Sequence, residues 1–288
     1  MNKKERLDNY LVANGYFDTK NQAQGNILAG KVKINGEILT KSGTQINTEK
    51  PQIIEIESMP YVSRGGFKIE KALNEFNINL QDKICLDAGA STGGFTDCML
   101  QNGAAKIYAV DVGYGQIAWK LRSNPKVVVI ERTNIRNVKP EEVYKDITLE
   151  ESNNFAEFCT MDLSFISITK VLGNIKNLMN PEKQEIVALI KPQFEAGKDL
   201  VPKSGVIKDK NIHVNVIKNI INFACTINLS PVNLVYSPIQ GPAGNIEYLI
   251  HLKKSNTDEI FDQQEFEKLI TETTEKAHEH FNSNKINK

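Results

Sequence analysis

The sequence has no apolar run of the roughly 18 residues that a membrane helix needs, and no charged-then-apolar leader opens it. The expected setting is the cytoplasm, without a membrane partner. Cysteine is scarce. Cys85, Cys98, Cys159 and Cys225 are scattered among apolar neighbours without the C-x-x-C spacing of a zinc site, so they are expected as buried, reduced thiols. No metal is called for. An excess of one charge is missing as well, since 35 Lys and Arg face 35 Asp and Glu. The balance is uneven along the chain, because residues 1–50 hold eight basic and five acidic side chains. A compact module with its lysines gathered there can bind phosphates. What is present is apolar content ample for a core, over a length of 288 residues that allows one large or two unequal domains.

The chain is organised around residues 83–96. A short apolar run, Ile84 to Leu86, ends in Asp87; residues 88–91 carry little side chain; Thr92, Gly93 and Gly94 then open a helical pattern. Strand, glycine turn and helix start together offer unpaired N–H groups and a positive dipole end to a polar ligand. No Gly-Lys-Ser/Thr follows, which excludes a P-loop. Gly89, Ser91 and Gly93 spell the G-x-S-x-G of a hydrolase elbow, a reading that requires ester cleavage dependent on Ser91. A dinucleotide fingerprint needs glycine where Ser91 stands. The third reading is an S-adenosylmethionine site, in which the strand-end turn faces the amino acid part of the cofactor and a carboxylate ending the next strand binds the ribose. Asp111 closes the run Ile107 to Val110 at the required place.

From Glu5, Leu7, Tyr10 and Leu11 recur at helical spacing until Gly15, and Ala23, Ile27 and Leu28 repeat it until Gly30. Residues 31–34 alternate toward an Asn35-Gly36 turn, followed by Ile38 and by the alternation of residues 53–56. Two helices beside a small hairpin-rich sheet are expected. The runs 6–11 (ArgLeuAspAsnTyrLeu) and 30–36 (GlyLysValLysIleAsnGly) resemble the S-four type RNA-binding domain. Such a unit can present Lys3, Lys4, Arg6, Lys20, Lys31 and Lys33 to an RNA backbone. Lys20 and Gly25 stand where that family often has arginine. The domains expected are 1–58, a linker at 59–62 containing Pro60, a second domain at 63–254, and an acidic, partly helical tail at 255–288.

In the second domain a helix carrying Lys68 at its start and Ile69, Ala72, Leu73 and Phe76 on one face precedes the glycine turn. Helix 92–101, strand 106–111, helix 115–122 and strand 127–131 follow, then strands near 157–162 and 185–190, and helix 209–226. This alternation predicts an α/β fold with a doubly wound, mostly parallel sheet. Its strand ends collect on one edge, and Asp87, Asp111, Thr133, Asn134, Asp162 and Lys191 all follow apolar strand runs. Asp162 has an alternative as cap of a helix near Ser167. Pro192 favours extended geometry at Lys191. Glu247 is expected to begin the last strand. His278 and His280 are two apart, which on a helix does not put them on one face for a metal, and they are expected to be solvated.

Taken together, residues 61–68 (TyrValSerArgGlyGly-x-Lys), 87–97 (AspAlaGlyAlaSerThrGlyGlyPheThrAsp), 162–167 (AspLeuSerPheIleSer), 191–195 (LysProGlnPheGlu) and 241–247 (GlyProAlaGlyAsnIleGlu) resemble the TlyA family. That family joins an S-four domain to an FtsJ-like, Rossmann-like class I methyltransferase. The resemblance implies 2′-O-methylation of cytidine in ribosomal RNA, 16S or 23S, with S-adenosylmethionine as donor, ribosomal subunits as partners and no metal. Its lysine-aspartate-lysine-glutamate tetrad falls on Lys68, Asp162, Lys191 and Glu247. Asp87, Gly89, Ala90, Ser91, Gly93, Gly94, Phe95, Asp111, Thr133, Asn134 and Asp162 are the expected cofactor contacts, and Arg64 joins the RNA-binding set. Lys191 is expected to take the hydroxyl proton and Asp162 to orient it, while Lys68 and Glu247 hold the ribose and the first pair. Repulsion between the two ammonium groups is expected to bring one lysine into a useful range. A monomer is expected. Some relatives carry a haemolysin label, but nothing in the chain resembles a pore-forming segment. A rival of another class is a non-catalytic ribosome-assembly factor.

Overall fold

The computed structural model describes residues 4–17, 19–57, 59–145, 147–255 and 262–286, and the chain divides into two units after Pro60. In the first unit, β1 (Lys4–Arg6) leads into α1 (Leu7–Ala13) and α2 (Lys20–Leu28). Leu7, Leu11, Ala23 and Ile27, at helical spacing, are fully buried against Val32 and Ile46. Thr19 caps α2 in a reciprocal box with Gln22. β2 (Val32–Ile34) turns through Asn35 and Gly36, both at positive φ, into β3 (Glu37–Ile38). β5 (Ile54–Ile56) pairs along the other side of β2. One pairing has no local signature: β1 lies antiparallel to β4 (Gln45–Asn47), with Arg6 opposite Gln45.

In the second unit the chain runs α3 (Gly66–Glu75), β6 (Ile84–Ala88), α4 (Gly94–Gln101), β7 (Lys106–Val110), α5 (Trp119–Arg122), β8 (Val127–Ile130), α6 (Pro140–Val143), β9 (Phe158–Met161) and α7 (Leu172–Asn177). It continues through β10 (Glu185–Ile190), α8 (Pro192–Glu195), α9 (Lys210–Thr226), β11 (Leu229–Tyr236), β12 (Tyr248–Lys254) and α10 (Gln263–Ile286). Among the described residues, seven strands form one sheet in the order β11-β12-β10-β9-β6-β7-β8. β6 to β10 are parallel, and β12 is antiparallel to both its neighbours. This is the doubly wound α/β architecture expected of a Rossmann-like methyltransferase.

Strand alternation sorts the two cores. Leu86 and Ala88 of β6 pack on one face with residues of α7, α9 and α10, while Cys85 packs on the other with residues of α3 and α4. Four details differ from the sequence reading. The helix expected at 115–122 begins only at Trp119, because Gly115 takes φ 68° and its N–H donates to Glu131. Tyr61 and Val62, expected in the linker, are built into the second unit: the Tyr61 ring is buried against Gly66, and the Val62 N–H donates to Asp97 at 2.8 Å. Cys225 is exposed rather than buried, the other three cysteines being buried as expected. His278, expected to be solvated, is half-buried against His213. The tail helix α10 packs on α9 and β11 and buries Phe266, Ile270, Ala277 and Phe281. No helix among the described residues is long and apolar enough to cross a membrane.

Candidate active site

β6 and β9 are hydrogen-bonded neighbours, although the chain visits β7 and β8 between them on the far side of β6. The strand order therefore reverses at β6, and the crevice outside its carboxyl end is where such sheets take ligands. Gly89 sits there at φ 88°, and a Cβ on it would lie 2.4 Å from the Asp162 carbonyl oxygen, so glycine is what lets the ends of β6 and β9 close together. A Cβ on Gly94 would lie 2.3 Å from Ser63 Oγ, which is why the segment before α3 can rest on the start of α4. Exposed Ser91, at φ 50°, donates its N–H to Asp111 Oδ2 at 2.8 Å, and Gly113 donates to Oδ1 at 2.7 Å. Thr133 donates its N–H to the Asp111 carbonyl. Asn134, exposed beside it, accepts from the Arg136 N–H.

An exposed turn with only Ser91 and Thr92 as side chains, next to a half-buried carboxylate at the end of the neighbouring strand, fits a sulfonium amino acid joined to a ribose. The donor set is compatible with S-adenosylmethionine: exposed backbone at the turn, with the Asp111 carboxylate, Thr133 and Asn134 further along the same edge. Three of the expected contacts have buried side chains. The Asp87 carboxylate is fully buried and accepts the Thr96 hydroxyl at 2.5 Å and the Thr160 hydroxyl at 3.0 Å. Burial raises its pKa to about 6 against the pull of those hydroxyls. Asp87 thus ties β6 to α4 and β9. Phe95 packs in the core with Met99 and Leu249, and Ala90 is buried near Ile117 and Leu121. The hydrolase reading gains no base, because no hydrogen bond joins the Ser91 side chain to a histidine among the described residues.

The four tetrad residues form two ion pairs. Lys68, in the first turn of α3, places Nζ 2.6 Å from Glu247 Oε2, with side-chain exposures of 9% and 1%. Lys191 places Nζ 2.5 Å from Asp162 Oδ1, with exposures of 11% and 23%, and donates to Ser164 Oγ at 3.0 Å. Burial raises the Glu247 pKa, and Lys68 and Lys191 oppose that rise, so the two pairs share one field. Glu247 stands one residue before β12, and its Oε1 occupies the space a Cβ on Gly241 would fill at 2.5 Å. Lys191 is extended, at φ −113° and ψ 98°, as a residue before proline should be. Asp162 donates its N–H to the Ala88 carbonyl, and the capping role falls to Ser167, which accepts from the Thr169 N–H.

Two residues the sequence reading did not single out complete the cleft. Glu195 accepts from the Ser167 hydroxyl at 2.6 Å and the Ile168 N–H at 2.8 Å, joining the loops after β9 and β10. Phe165, 90% exposed at φ 64°, lies 4.9 Å from the Phe194 ring, over which Lys191 Nζ sits at 6.0 Å. Both residues lie inside quoted motifs, and that was their only signal. No group of three or more His, Cys, Asp or Glu side chains among the described residues is placed to hold a metal.

The basic residues are divided. In the second unit Arg64 is exposed. In the first, Lys4 and Lys33 are exposed and Lys31 half-buried, whereas Lys3 lies outside the described residues. Arg6 is already engaged by two hydrogen bonds to buried Asp8, at 3.0 and 2.8 Å, and Lys20 Nζ lies 3.8 Å from the same carboxylate. Hydrogen bonding to Arg6 holds Asp8 well below the usual carboxylate range, against the cost of its burial. Arg6 therefore neutralises the inside of its own unit.

Residues 61–254 match the family described as FtsJ-like methyltransferase, and residues 5–50 match the S4 domain. YqxC of Bacillus subtilis, provisionally named an rRNA methyltransferase, is 46% identical over 250 residues, 87% of this chain and 86% of its own. TlyA of Mycobacterium tuberculosis, named a 16S/23S rRNA (cytidine-2′-O)-methyltransferase, is 39% identical over 254 residues, covering 88% of this chain and 91% of its own. A solved structure from Streptococcus thermophilus, provisionally named a hemolysin, is 39% identical and superposes with a TM-score of 0.73 over 99% of both chains. With the turn, the strand order and both ion pairs in place, the chain belongs to the FtsJ-like methyltransferases that carry an N-terminal S4 domain, the family that includes TlyA.

Proposed function

We propose that this protein methylates the 2′-hydroxyl of cytidine ribose in ribosomal RNA, 16S or 23S, and acts as a cytoplasmic monomer. The observation that carries the reading is the Lys191–Asp162 pair, whose carboxylate keeps 23% of its side chain exposed while that of the Lys68–Glu247 pair keeps 1%. S-adenosylmethionine supplies an electrophilic methyl group when bound, and Gly89, Ser91, Asp111, Thr133 and Asn134 are the residues that hold it. A ribose hydroxyl is a poor nucleophile at neutral pH, so its proton needs an acceptor as the new C–O bond forms. Lys191 Nζ, in its neutral form, takes that proton, and Asp162 Oδ1 at 2.5 Å stabilises the ammonium that results. Ser164 accepts from Nζ and keeps the side chain aimed along the cleft. Lys68 and Glu247 position the ribose and the first pair. Holding hydroxyl and donor in line is worth several kcal/mol, on the order of 7 or more in well-oriented systems.

Exposed Phe165, beside Phe194 and near Lys191, offers a ring face on which a nucleobase turned out of its stack can lie. Lys4, Lys31 and Lys33 of the first unit and Arg64 of the second meet phosphates, with the salt dependence such contacts bring. The domains proposed are an RNA-binding unit, a methyltransferase unit beginning at Tyr61, and the helix beyond residue 254. The test is transfer of labelled methyl from S-adenosylmethionine to separated ribosomal subunits, with the modified ribose mapped. Label on a cytidine 2′-oxygen is the expected result. Cofactor binding without label on either subunit or on their naked RNA would move the assignment to a non-catalytic assembly factor.

A further inference from the structure

We infer that His213 and His278 brace Glu247, which makes α10 a positioning part of the catalytic unit rather than an appended tail. The inference rests on the reading of Glu247 as a site residue. His213, on α9, is fully buried. Its Nε2 lies 3.2 Å from the Ile207 carbonyl oxygen, which can only accept, so Nε2 carries the proton and donates. Nδ1 is then the acceptor; it lies 2.8 Å from the Tyr248 hydroxyl and 3.2 Å from Nε2 of His278 on α10. The two imidazole rings are 5.0 Å apart.

Two routes lead from this ring to Glu247. Along the chain, Tyr248 is its next residue, and at the start of β12 the two side chains point to opposite faces of the sheet, Glu247 to Lys68 and Tyr248 to His213. Through space, the other side of Ile207 donates its N–H to Asn245 Oδ1 at 3.0 Å, and Asn245 Nδ2 donates to the Gly205 carbonyl at 2.8 Å. The same Asn245 closes the 241–245 turn by accepting the Gly241 N–H at 2.9 Å. Gly241 is the residue whose missing Cβ leaves room for Glu247 Oε1. The Ile207 backbone is therefore held by Asn245 at its N–H and by His213 at its carbonyl, and Asn245 and Tyr248, the partner of His213, flank Glu247 in the chain. The family match ends at residue 254, so His278 lies beyond it and no part of that match assigns the helix a role.

The test uses the full chain with His213→Leu, His213→Gln and His278→Leu, read by hydrogen exchange over residues 205–207 and 241–247 and by single-turnover methyl transfer at saturating cofactor and RNA. Displacing a positioning group by about an ångström costs roughly 100-fold in rate. His213→Leu is expected to speed exchange in both segments and to lower the transfer rate by about 10- to 100-fold, with cofactor affinity unchanged. Glutamine, which keeps a donor for the Ile207 carbonyl, should recover part of both, and His278→Leu should shift both in the same direction by less. Folded leucine variants with wild-type exchange and rate would overturn the brace. If His213→Leu does not fold, the half-buried His278 decides by the same two readings. If the wild type transfers no methyl, the assignment of function fails, and exchange alone still decides the brace.

Discussion

The two ion pairs of the cleft are made of the same residue types at nearly the same distance, yet they sit differently. Lys68 and Glu247 are almost out of water, and Glu247 Oε1 takes the space that a Cβ on Gly241 would fill. The lysines are nearly equally covered, at 9% and 11%, but Asp162 keeps 23% of its side chain exposed where Glu247 keeps 1%, and Lys191 also donates to Ser164. A buried pair is held by its partners and moves only at high cost, whereas a pair at the mouth can meet a substrate and exchange a proton. On the proposed function, that difference assigns positioning to the first pair and proton transfer to the second.

The comparison breaks most visibly in stability. Glu247→Leu leaves Lys68 buried without its carboxylate and should cost about 3 kcal/mol or more of unfolding free energy. The double variant with Lys68→Met should regain most of that stability in denaturant titration while methyl transfer stays low, because the pair as a whole positions rather than stabilises. Next in size is Gly94→Ala. Its Cβ would meet Ser63 Oγ at 2.3 Å and the Gly66 nitrogen at 3.0 Å, so the segment carrying Arg64 and Lys68 must shift. A destabilisation of about 1–3 kcal/mol in thermal unfolding is expected, together with slower transfer.

The smallest effect is in pH. Asp87 has a folded-state pKa of about 6, above the unfolded carboxylate near 3.9, so the native chain holds a proton that the unfolded chain has released. Its contribution to stability declines as pH rises from about 4 to about 6. His213, lowered by burial to about 4, has the opposite sign: the unfolded chain binds the extra proton, so stability grows as pH rises from about 4 to 6.5. The two slopes offset each other in the wild type. Asp87→Asn should therefore lose stability on acidification from pH 6.5 to 4 more steeply than the wild type, as read from Tm against pH.

Much of this was legible in the sequence because it is local. The glycine turn, the carboxylate ending the next strand and the lysine before Pro192 each announce themselves within a few residues, and the parallel sheet then gathers strand ends onto one edge. What was not legible depends on faces and partners. The sequence presents Asp87 as a cofactor contact, but its side chain is buried, where Thr96 of α4 and Thr160 of β9 take both oxygens. The sequence offers Arg6 to RNA, but in the fold its guanidinium also bonds buried Asp8, two residues away. The helix expected from residue 115 was cut short by Gly115 at positive φ. The contact of His213 with His278 joins residues on two helices far apart in the chain, and no periodicity reports such a pair.

The most direct measurement is single-turnover methyl transfer by Lys191→Ala, taken beside its unfolding temperature and cofactor affinity. The account predicts a rate lower by about 10³-fold in a protein that unfolds close to the wild-type temperature and binds cofactor normally. A rate within tenfold of wild type would contradict the assignment of proton transfer to the open pair.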